Sequence, residues 1–160
     1  TWSNELFKEN EATVIEISGA YKRYHCPMAR TVFLGKEDQQ KLDVMNKTIE
    51  ALEEGKSAIK AGVTADSVAQ TFWKVLDKYN IKKDSRTGYS IGAGFPPDWG
   101  ERTVNISKGD PTILQINCTL HMIAVMQMGD WGVEVSEAMR VTDNGFEAFC
   151  NFPKELVFKN

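Results

Sequence analysis

The chain has 160 residues, 42% of them hydrophobic, enough for one ordinary core and therefore for a single compact domain or a piece of one. A net charge of -3 offers no basic face for nucleic acid, and no apolar run approaches the ~20 residues a bilayer-spanning helix needs, so neither nucleic acid nor membrane is an expected partner. Cys26, Cys118 and Cys150 are widely spaced, odd in number and without a CxxC pair; they indicate neither a disulfide framework nor a zinc ribbon and suit a reducing cytoplasm. The chain opens Thr1-Trp2-Ser3-Asn4, with no signal peptide and no initiator Met, as if cut from something longer.

In chain order, Thr13 to Ser18 is mostly β-branched, with Thr13, Ile15 and Ile17 on one side and Val14, Glu16 and Ser18 on the other, which predicts a strand. A returning strand, Arg30 to Leu34, closes a β-hairpin with a long decorated tip, Lys22-Arg23-Tyr24-His25-Cys26-Pro27. Lys36 to Ala61 is helical by period, with Leu42, Met45, Ile49, Leu52 and Ile59 near one face and Gly55 weakening the middle. Gly62 ends it, and Thr64 caps a second helix striped by Val68, Phe72, Val75, Leu76 and Tyr79 and running to Asn80. Three β-rich runs close the chain, Pro111 to Asn117, Thr119 to Met126 and Val133 to Thr142, the last followed by an Asp143-Asn144-Gly145 turn. Strands and helices in separate runs predict an α+β fold: a largely antiparallel sheet with two helices on one face.

Between the second helix and the last strands lies Thr87 to Glu101, too rich in glycine and proline for a helix and too aromatic for a linker. It reads as a rigid site-building loop, with Pro96-Pro97 fixing its exit and Asp98, Trp99 and Glu101 placing two carboxylates around an indole. Gly129-Asp130-Trp131-Gly132-Val133-Glu134 echoes it, so the two Asp-Trp-Gly turns either line one pocket for a small cation or are ordinary surface turns.

Val14-Ile15-Glu16-Ile17-Ser18-Gly19, Arg30-Thr31-Val32-Phe33-Leu34-Gly35, Gly88-Tyr89-Ser90-Ile91-Gly92 and Val141-Thr142-Asp143-Asn144-Gly145 resemble, in order and spacing, the pita-bread family of aminopeptidases, prolidases and creatinases. Within that family Tyr24-His25-Cys26-Pro27, Pro96-Pro97-Asp98-Trp99-Gly100-Glu101 and Asp130-Trp131-Gly132 look like ectoine hydrolases. The resemblance covers nearly the whole chain but only the later part of such a protein. It implies that 1–160 is the C-terminal part of a pita-bread catalytic domain, lacking the N-terminal domain and the first part of the catalytic domain, and that the full-length protein is a cytoplasmic homodimer acting on a small zwitterion.

Peptidases of this fold hold two metal ions with two aspartates, one histidine and two glutamates. By the resemblance those positions fall on Glu16, Pro27, Tyr89 and near Ile123 and Ser136. Proline and isoleucine cannot bind a metal and tyrosine is a poor substitute for imidazole, so no metal and no cofactor are expected. Carboxylates and aromatic faces would instead hold a delocalised cation such as the cyclic amidinium of ectoine. Glu16, His121 and Glu137 are the catalytic candidates. Glu16 acts as nucleophile or general base, and His121 is a proton relay or a satisfied core histidine; Glu134 and Glu137, three apart on a strand, face opposite sides, so only one reaches the pocket, and Glu137 is preferred by its place in the family motif. Tyr24, His25, Tyr89, Asp98, Trp99, Glu101, Asp130, Trp131 and Glu134 are the substrate-binding candidates. The expected function is metal-independent opening of the ectoine ring at a C–N bond; the alternatives are a metal-dependent Xaa-Pro dipeptidase, a creatinase-like amidinohydrolase and a non-catalytic binding protein.

Overall fold

A computed structural model describes residues 4–159; Thr1-Trp2-Ser3, on which the reading of the chain's start rests, lie outside the described residues. The elements are β1 (Ala12–Tyr21), β2 (Tyr24–Leu34), α1 (Gln39–Ser57), α2 (Ala65–Lys78), β3 (Gly88–Ile91), β4 (Gly100–Ile106), β5 (Thr119–Gln127), β6 (Gly132–Val141), β7 (Phe146–Ala148) and β8 (Val157–Lys159).

The strands form two sheets rather than one. In a three-stranded sheet β1-β2-β8, β1 and β2 are antiparallel while β8 joins β2 in parallel; a five-stranded sheet β4-β3-β5-β6-β7 is antiparallel throughout. The expected long tip of the first hairpin is absent. Lys22 and Arg23 both adopt left-handed backbone (φ 48° and 70°) and make a two-residue turn, so Tyr24 to Pro27 belong to β2. Such a turn matches the twist of the flanking strands but usually announces itself by Asn or Gly, which this sequence lacks.

Both helices form where the apolar period placed them, with sharper ends. Asp38 caps α1 by accepting from Lys41 N–H, and Thr64 caps α2 by accepting from Ser67 N–H. They pack on each other and on one face of the five-stranded sheet, burying Met45, Leu52, Phe72 and Leu76 with Leu120, Met122, Val135 and Met139. Each such side chain contributes about 1.5–3 kcal/mol of transfer free energy. Gly55 lies inside α1 because α2 approaches it closely: a Cβ there would stand 3.1 Å from Phe72 Cβ. Pro111 to Asn117 is not a strand. Its backbone bonds instead to the start of α2 (Ala65 N–H to Thr112 O, Leu114 N–H to Val63 O), which uses the groups a ladder would need.

Candidate active site

The helix-free face of the five-stranded sheet is built by strand alternation. Tyr89 pairs with His121, His121 with Ala138, and Ile123 with Ser136, so these side chains share the face opposite the helical core, and Glu134 joins them two residues before Ser136. The first hairpin lies across this face. Ala29 N–H donates to Ser136 Oγ (2.7 Å), and Thr31 Oγ1 both donates to Glu134 O and accepts from Glu134 N–H (each 2.8 Å). Because Glu16 is the cross-strand partner of Ala29, that docking carries Glu16 to the same face.

A hydrogen-bonded chain runs through the site. Trp99 Nε1–H donates to Tyr89 Oη (2.9 Å), Tyr89 Oη meets His121 Nδ1 (2.9 Å), and His121 Nε2 meets Ser136 Oγ (2.7 Å). Its polarity follows from donor accounting. Ser136 is fully buried and already accepts from Ala29, so its own proton is satisfied by donating to His121 Nε2. Nδ1 then carries the imidazole proton and donates to Tyr89. The Tyr89 oxygen receives two N–H groups, which leaves its O–H free to donate into the pocket. Burial, aided by the Arg86 charge, holds His121 down to about 3, so the imidazole is neutral at every working pH and fixes Tyr89 rather than titrating near neutrality.

The carboxyl end of the site is Glu16 and Glu134. Burial raises both; Glu134 is further raised by the Glu16 charge and opposed by Lys83, and reaches about 7. Lys83, which donates to Ser85 Oγ at 2.8 Å, is pushed down to about 8 by burial. The Tyr89 hydroxyl lies between opposite influences: burial raises its pKa, the Trp99 hydrogen bond and the Arg86 charge lower it, and the Glu16 and Glu134 charges raise it.

Glu137 does not reach this site. It faces the helices, where Lys56 forms an ion pair with it and Lys154 bonds it at 2.9 Å, with Glu53 bonding Lys56 at 2.9 Å. Burial alone would raise Glu137, but the two ammonium groups outweigh it and hold it below its ordinary value. The glutamate on the site face is Glu134, so the preference for Glu137 is reversed. The two Asp-Trp-Gly turns line separate pockets. Asp98 and Trp99 lie with Arg86, Tyr89 and Arg102 in one of about 300 Å³, while Asp130, Trp131 and Glu134 lie with Val14 and Val125 in another of about 390 Å³. The antiparallel register puts the β3–β4 connection and the β5–β6 turn at opposite ends of the sheet, which keeps the turns apart. Glu101 packs over Gly92, where its charge adds to burial in raising the Cys118 thiol, and is not among the residues lining the Trp99 pocket.

His25 is buried, and neither ring nitrogen has a hydrogen-bond partner, a costly state that a bound polar group would relieve. Tyr24 is exposed at the hairpin end and bridged to Ala93. Ser136, Arg86 and Lys83 take part in the site and were not among the candidates. Ser136 carried a signal, as one of the metal-ligand positions, whereas Arg86 and Lys83 carried none. The five metal-ligand positions that the resemblance assigns fall on Glu16, Pro27, Tyr89 and near Ile123 and Ser136. A proline and a tyrosine at two of these positions do not fit a pair of metal ions, and among the described residues no three His, Cys, Asp or Glu side chains come together as a metal site requires.

A model of metallopeptidase family M24 matches residues 2–143. The chain belongs to that family. As an M24 chain it is 38% identical over 160 residues to the ectoine hydrolase of Halomonas elongata, covering 99% of this chain and 40% of that protein. It is also 20% identical over 158 residues to the Xaa-Pro dipeptidase of Pyrococcus horikoshii, covering 97% of this chain and 44% of that one. Among solved structures, dipeptidase PepE from Mycobacterium ulcerans superposes with a TM-score of 0.88 at 23% identity, over 98% of this chain and 42% of PepE, which shows the pita-bread fold. The chain thus spans about two fifths of the length of these relatives. Among the described residues no helix is long and apolar enough to cross a membrane, and all three cysteines are free.

Proposed function

We propose that the full-length protein is a hydrolase that opens the cyclic amidine of ectoine at a C–N bond, and that it works without a metal ion. What supports this reading is that, of the metal-ligand positions the resemblance assigns, two hold Pro27 and Tyr89 and two fall near Ile123 and Ser136, while the first keeps a carboxylate, Glu16, whose charge acts on a second carboxyl, Glu134. The 38% identity to an ectoine hydrolase supports the choice of substrate.

Burial, with the Glu16 charge added to it, raises Glu134 to about 7, so Glu134 holds a proton near neutral pH. Glu16 is then the base or nucleophile and Glu134 the acid. The amidinium carbon gains a C–O bond, from water deprotonated by Glu16 or from Glu16 itself followed by water. The C–N bond breaks as the departing nitrogen takes the Glu134 proton, leaving an amide and a free amine. The Tyr89 O–H, held by Trp99 and His121, and the unpartnered His25 supply donors for the oxygen atoms of substrate or adduct.

The test is turnover of ectoine by the full-length protein, followed by chromatography of the ring-opened product. Glu16→Gln should lower kcat by about 10²–10⁴-fold with the fold intact. Loss of activity in chelator, restored only by a divalent metal, would replace this reading by the metal-dependent Xaa-Pro dipeptidase, which a proline-dipeptide assay would then identify. Residues 1–160 alone should be inactive, because in the family that the chain resembles residues from the earlier part of the protein and from a partner subunit complete the pocket.

A further inference from the structure

The site has two electrical ends, and only one has been given a task. The Glu16 and Glu134 charges reach the Tyr89 hydroxyl from one side, Glu134 lining its own pocket, and Arg86 reaches it from the pocket that it lines together with Tyr89. The Arg86 guanidinium carbon sits 4.3 Å from the centroid of the Tyr89 ring, and Nη1 donates to Asn105 Oδ1 at 2.7 Å. Asn105 is the β4 cross-strand partner of Tyr89, so strand pairing fixes the hydrogen-bond acceptor and the aromatic platform that orient Arg86. The guanidinium is thus held over the ring with one nitrogen tied to Asn105, which leaves other N–H groups to donate.

Arg86 has no carboxylate partner among the ion pairs of the described residues. The other arginine of the same pocket, Arg102, is neutralised by Asp98 at 3.0 Å. The pocket therefore has one oriented, uncompensated cation, beside a Tyr89 hydroxyl whose lone pairs are taken and whose proton is free. Both groups can only donate. They suit a carboxylate, which accepts two N–H bonds from a guanidinium and has lone pairs left for a hydroxyl.

We infer that Arg86 is a specificity-determining residue that binds the carboxylate of the zwitterionic substrate, while the Glu16 and Glu134 end takes its cationic ring. This inference rests on the proposed function and adds to it the reason for preferring a zwitterion. A cyclic amidine without a carboxylate would fill the negative end and leave Arg86 unpaired. A substrate anion near the carboxylate end would instead be repelled, so the orientation of the ring in the site is set by charge.

The test is calorimetric titration into full-length Glu16→Gln protein, with and without Arg86→Met, using ectoine and the same cyclic amidine lacking its carboxylate. Arg86→Met should weaken ectoine binding by about 10–100-fold, the range for a lost charge-assisted hydrogen bond, and leave the carboxylate-free analogue within about twofold. Arg86→Lys, which keeps the charge but not the planar fork, should fall between. Arg86 is exposed, so the melting temperatures of all three proteins should agree. Unchanged ectoine affinity in Arg86→Met, or equal weakening for both ligands, would overturn the inference and leave the proposed function standing. If wild-type protein neither binds nor turns over ectoine, the proposed function fails, and the inference with it.

Discussion

Glu134→Gln tests the reading of the site without any substrate. In the folded protein the Glu134 carboxyl titrates at about 7, against an ordinary value of 4.5, because it is partly buried and faces the Glu16 charge. A carboxyl raised on folding binds its proton more tightly in the folded state, so its ionisation works against stability. The penalty is absent below about pH 4.5, grows between pH 4.5 and 7, and is complete above 7. At about 1.4 kcal/mol per pH unit the gap has a ceiling of about 3 kcal/mol at pH 8, and residual solvent at the carboxyl reduces it to an expected ~1.5–3 kcal/mol. Glutamine keeps the shape and the hydrogen-bonding groups but cannot ionise. Calorimetric melts of wild-type and mutant full-length protein should therefore coincide at pH 4 and separate progressively to pH 8, with the mutant higher by a few degrees. A constant difference across that range, or a mutant less stable at pH 8, would refute the account of Glu134.

Other outcomes follow from the same geometry. Glu137→Gln should destabilise by about 3–5 kcal/mol in denaturant titrations, because it leaves Lys56 buried and underpaired, while KM for ectoine stays within about twofold; a selective loss of kcat with normal stability would restore Glu137 to the site. Tyr89→Phe removes the acceptor of both Trp99 and His121 and should cost about 1–3 kcal/mol, read from chemical unfolding, with Ser136→Ala costing a similar amount through Ala29 and His121. Nitrogen NMR should show His121 neutral with its proton on Nδ1 from pH 5 to 9, and any titration in that interval would contradict its burial. His25→Phe, which replaces an unpartnered buried ring by an apolar one, should leave the melting temperature equal or higher while weakening ectoine binding.

The chain's local physics shows plainly in its sequence. The apolar stripes of α1 and α2, the Thr64 cap and the alternation of β1, β5 and β6 are periodic signals that each segment carries alone. The family motifs likewise placed Glu16 and Tyr89 at one centre, and alternation separated Glu134 from Glu137. What alternation could not decide was which face is core. That was settled by Lys56 from α1 and Lys154 from the C-terminal segment, which satisfy Glu137 on the helical side, and by Thr31 and Ala29 of β2, which close over Glu134 and Ser136. The stretch from Thr87 to Glu101 hid two strand segments because its glycines read as turn formers. Gly88 is instead a packing residue, since a Cβ there would lie 2.8 Å from Met122 Sδ and 3.0 Å from His121 O. The sequence by itself determined the two helices, the first hairpin's strands, the two long antiparallel strands β5 and β6 and the α+β class, all of which depend on residue type and spacing. Only the tertiary structure decided that Tyr89 joins Trp99, His121 and Ser136 in one polarised chain and that Arg86 stands over the Tyr89 ring, because the chain's contacts join residues up to 32 positions apart, which no local period encodes.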